Sequence, residues 1–309
     1  MEEAPSEGVE AESDGLPKVD RDAAERYLAR HRRSSASLLA AFRGTGDTNY
    51  LFEAARNFSE DPQVQWTVLM HNLFPDDRRK WLEAFKASSP SNSLASYLSA
   101  QDYFEAGKKE AAVTELQAAL GRSQFENFET SARLDSEELF LSSGRSLRDA
   151  SQSALAVIAA DYLPELASFK RLSQSIAGLE PQYASPEQAS SLASVVQSGL
   201  SLADQLRSGD SGKYIINGLV GNADEAILLR QLDPNTSYSF LGGQTPAQRL
   251  DELKQIKQEI RQVTRTFTSI YPTLSEPEQL DYLQRSNIYG EFEAERWLVQ
   301  EYGSAAQAQ

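Results

Sequence analysis

The sequence predicts an all-α protein, with stacked helical hairpins in front and a C-terminal helical bundle or array behind. Three observations lead there. Alternation of the strand type is hard to find, whereas stretches rich in Ala, Leu, Glu, Gln, Lys and Arg carry apolar residues three and four apart. Helix-capping and helix-breaking residues recur at close intervals. The front of the chain also matches itself at a fixed shift, as a repeated supersecondary unit would.

The elements follow in order. "VDRDAAERYLARHRRSSASLLAAFRGTG" begins at an aspartate cap, Asp20 or Asp22, and keeps Ala24, Tyr27, Leu28, Leu38, Leu39 and Phe42 for burial. It stops at Gly44 and Gly46, which predicts one long first helix. Asp47 or Thr48 caps a short helix through Phe58, Asp61-Pro62 opens the next, and Pro75 with Asp76 opens another ending near Ser88. The shift that carries Asp61 onto Asn92 also pairs Trp66 with Tyr97, Leu69 with Ala100 and Leu73 with Phe104. Under the same shift Trp81 meets Ala112, Leu82 meets Val113 and Phe85 meets Leu116, and one step back Leu51 meets Leu82 and Ala54 meets Phe85. Roughly three helix pairs share the period, about the minimum at which stacked repeats bury a continuous core.

Within Asn92 to Gln124, Ala100, Tyr103, Gly107, Ala112 and Ala119 place a small residue and an aromatic in the first helix, a glycine at the turn and alanines in the second. This stretch resembles a tetratricopeptide repeat, and the likeness extends in degenerate form over Asp22 to Phe125. Ser96 and Ser99 stand where that pattern favours large apolar residues, and Gln124 where it favours proline. The resemblance implies that Ala100 and Ala112 let two helix axes approach closely while Tyr103 packs into the next unit. It also implies a concave groove lined by the first helix of each pair, with Gln63, Trp66, Met70, Tyr97, Gln101 and Glu105 as partner-binding residues. The opposite reading, in which Trp66 and Tyr97 are core, stays open, since aromatic residues are usually buried. Family members that clamp a C-terminal carboxylate use Lys, Arg and Asn on this face; serine, tyrosine and glutamine sit there instead.

Beyond Phe125 the period fades and helical character persists. "SARLDSEELFLSSG" predicts a helix closed by Gly144, and the segment from Ser146 to Leu179 predicts helices divided near Pro164. Pro181 and Pro186 bracket a turn, after which Ala189, Leu192, Val196, Leu200, Ala203 and Leu206 form one apolar stripe. Gly218 and Gly221 suit a close helix crossing. "DPNTSYSFLGGQTP" is the clearest loop, a charged amphipathic helix from Thr245 or Pro246 to Ile270 follows, and Glu276 to Tyr302 supplies the closing one or two.

Function enters mainly by exclusion. With 309 residues and 40% hydrophobic content the chain can bury a full core, and its formal charge of -15 repels phosphate backbones, so no nucleic-acid partner is expected. No cysteine is present, which removes disulfides and thiolate chemistry. The longest apolar run, Ala154 to Ala160, is far short of the roughly 20 residues that span a bilayer, so no membrane insertion is expected. His31 and His71 lie on different helices without a second ligand at helical spacing, and no metal, cofactor or catalytic residue is predicted. Asp76-Asp77, Glu137-Glu138 and Asp224-Glu225 read as helix-start acids that complement the macrodipole, and Arg30 to Arg33 as a solvated basic face.

The expected organisation is an acidic, disordered leader over 1–19, repeats over 20–125, a C-terminal α-helical region over 126–303 and a disordered tail over 304–309. The expected activity is non-catalytic: a scaffold that binds a protein or peptide in the repeat groove, or alternatively a self-assembling or envelope-complex helical subunit. The compartment is open between the cytoplasm and an envelope, because a chain trimmed after a signal or anchor would begin the same way.

Overall fold

Local chemistry sets most helix boundaries in the computed structural model, which describes residues 15–179 and 189–306. Asp20 accepts a hydrogen bond from the N–H of Ala23 and opens α1 (Arg21–Arg30). Ser34 does the same for α2 (Ser35–Thr45), and Asp47 for α3 (Thr48–Asn57). Asp61 caps α4 (Pro62–Met70), whose first residue is proline, and a 3-10 turn at Pro75–Asp77 leads into α5 (Arg78–Ser88). Then come α6 (Leu94–Glu105), α7 (Lys109–Leu120), α8 (Glu129–Ser142) and α9 (Leu147–Ala177). The chain finishes with α10 (Ala189–Arg207), α11 (Ile215–Leu229), α12 (Pro246–Ile270), α13 (Glu276–Tyr289) and α14 (Glu291–Ala306). The fold is all-α, with fourteen α-helices and no strand among the described residues.

Several boundaries differ from the sequence expectation. The first helix is two, because Arg32 and Arg33 adopt left-handed backbone angles and Ser34 starts α2 anew. The division near Pro164 does not occur: α9 runs through it, held by buried Val157, Ile158, Tyr162, Leu166 and Phe169 on both sides. Tertiary burial outweighs the local cost of one missing N–H. Part of the expected leader is structural, since Val19 is buried and donates to the carbonyl of Gly44. Residues 304–306 belong to α14. The rest of the expected leader and tail, the Pro181 and Pro186 turn, and the side chains of Ala189 and Leu192 lie outside the described residues.

Each helix from α2 to α6 packs on the one that follows it. The α6–α7 pair is closed at its open end, where Ser93 donates to the carbonyl of Gln124 and Gln124 donates back to Ser91. Ala100, Ala112 and Ala119 are fully buried in that pair, and Gly107 takes a φ of 71° at its turn. Tyr103 does not reach forward; it lies under the guanidinium of Arg79 from α5, 3.9 Å from the ring centre. Buried Ser93, Ser96 and Ser99 explain why α6 lacks large residues at those positions: it is enclosed by α5, α7, α9 and α10, and small side chains let all of them close in.

One core runs from Val19 to Leu253, so the division drawn after Phe125 separates no packing unit. A second, smaller core joins Ile270, Tyr282, Leu283, Ala294 and Leu298 at the end of α12 and in α13 and α14. Gly221 allows the closest crossing of α10 and α11, since a Cβ there would meet the carbonyl of Ala203 at 2.6 Å; Gly218 faces open space and takes no part.

Enlarging Ala100 tests how tightly α6 is enclosed. Ala100→Leu is expected to lower stability by about 1–3 kcal/mol through overpacking, read as a reduced urea midpoint.

Candidate functional site

The groove residues implied by the tetratricopeptide resemblance are mostly interior. Trp66 is 1% exposed, Tyr97 0% and Gln101 5%, while Gln63 and Met70 are half-buried and Glu105 is exposed. Trp66 sits 6.4 Å from the ring of Tyr162 on α9, and the Tyr97 hydroxyl donates to the carbonyl of Ser198 on α10 at 3.3 Å. The inner faces of α4 and α6 are therefore covered by this chain's own later helices. Trp66 and Tyr97 are core residues, the second of the two readings open in the sequence.

Burial also corrects the electrostatic expectations. His71 is not incidental: its Nε2 lies 2.7 Å from Oδ1 of Asp161, whose Oδ2 accepts from Nε of Arg43 at 2.7 Å. Burial alone would raise the Asp161 carboxyl, but Arg43 and His71 hold it at about 2. This network ties α2, α4 and α9 together around a void too small for a ligand, about 10 Å³. Arg33 is not a solvated cation, because it bridges Glu25 and Glu53 at 2.7 and 2.6 Å. Glu137-Glu138 and Asp224-Glu225 lie in the third turns of α8 and α11, beyond the reach of the helix start. Asp224 is fully buried, its carboxylate oxygens accept no hydrogen bond among the described residues, and burial, opposed by nearby Ser173 and Lys170, raises its pKa to about 7. Glu225 is instead gripped by Arg249 at 2.7 Å and by Arg207.

Among the described residues, three of the hollows are large enough for a ligand. One of about 450 Å³ is lined by Arg207, Arg249 and Glu225, whose charges satisfy one another. Another of about 670 Å³ lies over α4 and α5, where the polar side chains Gln65 and Ser88 are bonded together and Gln65 also donates to Ser59. The third, about 400 Å³, opens between the two cores and combines aromatic walls with the carboxylates of Glu129 and Glu291, which form no salt bridge among the described residues although Arg133 favours the charge on both. It is the candidate site.

Its geometry follows from backbone conformation. Phe128 at a φ of 61° and Gly290 at 94° each turn the chain sharply just before a helix, so Glu129 and Glu291 become the first residues of α8 and α14. A Cβ at Gly290 would press on the Lys213 backbone at 3.0 Å, so glycine lets α14 start against the turn that precedes α11. Glu291 Oε2 accepts from the N–H of Ile215 at 2.8 Å, and Glu129 Oε2 accepts from Asn217 at 2.7 Å and Asn127 at 3.3 Å. Burial raises both acids, Glu129 to about 7. Phe267, Tyr271 and Tyr282 form one aromatic wall with ring centres 4.7 to 5.2 Å apart, and Gln152 on α9 donates to the Tyr271 hydroxyl at 2.7 Å. Tyr214 and the small residues Ala156 and Ala159 complete the lining.

Sequence reasoning missed this site. Its residues are far apart in the chain, and the only local sign was a glutamate directly after Gly290 at a helix start. No family model matches the chain, and no curated protein or solved structure matches it.

Two predictions follow from these environments. Buried acids whose folded pKa exceeds the unfolded value stabilise the fold at low pH and lose that contribution as pH rises through the folded value. For Asp224 the loss between about pH 4 and pH 8 is on the order of 3 kcal/mol, so Asp224→Asn should flatten the decline in urea midpoint over that range. Gly290→Ala should destabilise by about 1–3 kcal/mol, read in the same titration.

Proposed function

We propose that the protein is a non-catalytic helical binding protein, a scaffold with tetratricopeptide-like hairpins that recognises a protein or peptide in the cleft between its two cores. The observation that carries this reading is the cleft itself, with aromatic walls and two carboxylates that form no salt bridge among the described residues, Arg133 acting on both only at longer range. The seam of Ala100, Ala112 and Ala119 supports the repeat-like character of the front half. Because α9 and α10 cover the inner faces of α4 and α6, the recognition surface moves from the concave face to the cleft. Among the described residues that line it there is no serine, threonine, histidine or lysine, so the acids stand beside aromatic and aliphatic side chains and no side chain of those four types.

A second reading, self-assembly, is favoured by Ile288 and Tyr289, neighbours at the end of α13 that are 64% and 63% exposed. Sedimentation of the double variant Ile288→Ser and Tyr289→Ser decides it: an unchanged mass relative to wild type removes this reading.

Ala156→Trp fills the cleft from α9 and should abolish retention of partner proteins from a native extract while leaving the helical circular-dichroism signal intact. Unchanged retention refutes the cleft as the recognition surface. Trp66→Ala and Tyr97→Ala should each destabilise by about 3–5 kcal/mol, as large-to-small changes in a core do. Either variant losing partner retention at full stability would return recognition to the concave face.

A further inference from the structure

We infer that the cleft accepts a lysine side chain flanked by apolar residues, presented by a partner polypeptide. This rests on the binding reading above and names the chemistry of the occupant.

Three observations converge on it. First, Glu129 and Glu291 both line the cleft, and neither forms a salt bridge among the described residues. Second, in each of them every hydrogen bond falls on Oε2, from Asn217 and Asn127 in one case and from the Ile215 N–H in the other. Among the described residues, one oxygen apiece therefore accepts nothing. Two separate single acceptors suit an ammonium, a compact charge with three rotatable donors, better than the paired acceptors that a guanidinium fork requires. Third, aromatic rings at Tyr214, Phe267, Tyr271 and Tyr282 surround these acids, and such rings attract a cation while burying its methylene stem.

The apolar surface also extends past the cleft, which favours a polypeptide over a free amine. Ile216 on its wall is exposed, and Ile288 and Tyr289 stand within three residues of Glu291. A side chain seated in the cleft would bring its chain neighbours onto Ile216 at the rim, giving an anchor with an apolar surround. The charge of -15 steers a basic segment toward the protein.

The surrounding charges set a pH dependence. Glu291 on α14 and Glu165 on α9 face Glu129 with the same sign and Tyr162 and Tyr214 lie close to it, while Arg133 on α8, which donates to Asn287, favours the charged form of both Glu129 and Glu291 without pairing with either. Lys213, next to Glu291, is held by Asp210 at 2.9 Å. A bound ammonium stabilises the ionised Glu129, so binding releases a proton. Affinity should therefore rise about tenfold from pH 6 to pH 8 if only the ionised form binds.

Selection of a random heptapeptide library on the full-length protein at pH 8, with counter-selection on Ala156→Trp, tests this. Enriched peptides should share a lysine with apolar neighbours, lose at least tenfold in affinity when norleucine replaces that lysine, and lose a similar factor against Glu291→Gln. Butylammonium serves as the free-amine arm and should bind far more weakly than the peptide. Cleft-dependent peptides without a required lysine overturn the inference and leave the binding reading standing. Peptides that bind Ala156→Trp as well as wild type, or no enrichment at all, overturn both. Butylammonium binding as tightly as the peptide overturns the polypeptide partner.

Discussion

A 31-residue helix with apolar side chains around much of its girth cannot stand in water, and covering α9 organises the rest of the molecule. It is packed by α2 and α6 from the front of the chain and by α8, α10, α11 and α13 from behind. The hairpins of the first half thus close over a helix that the same polypeptide supplies. This accounts for buried Trp66 and Tyr97, for the absence of a core boundary after Phe125, and for the passage of α9 through Pro164. The buried pair of Arg43 and Asp161 marks the same contact, since it bridges α2 to α9. Burying two charges is costly unless each is matched, and here the match fixes where α2 meets α9.

The second core is attached to this arrangement on one side only, and the cleft lies where the two meet. Helices α12 to α14 pack their own apolar residues together and touch the larger core through α9 and α11. Surfaces that curve away from each other leave a hollow, which is why ligand sites are common between packing units. The sharp turns before Glu129 and Glu291 then deliver two carboxylates into a space walled by aromatic rings. Their raised pKa values express the cost of that placement, which a cation in the cleft would offset.

How much of this was legible in the sequence depended on the range of the interaction. Caps such as Asp20, Asp61 and Thr245 are local, and the helices they open begin where the sequence places them. The break at Arg32 and Arg33 was missed because apolar spacing continues across it. The all-α class needed only periodicity. By contrast, whether Trp66 faces solvent depends on Tyr162, and whether His71 has a partner depends on Asp161, residues that no spacing rule connects. The candidate site is the extreme case. It draws on α8, α9, the turn before α11, and α12 to α14, and exists only once both cores have formed.

The helix α12 is anchored near its ends, by Leu253 in the larger core and Ile270 in the smaller, while most of the stretch between them faces solvent. That span is about 25 Å at the usual rise per residue. Helix-favouring replacements at its solvent-facing positions should be tolerated, whereas the face toward α14, where Thr264 donates to Glu295 at 2.6 Å, is constrained. Its length is another matter. One inserted or deleted residue would rotate one anchor relative to the other by about 100° and move it by about 1.5 Å, turning the Phe267 wall away from α9. Across diverging copies of this chain, the solvent-facing positions of α12 should be free in composition while its residue count stays invariant.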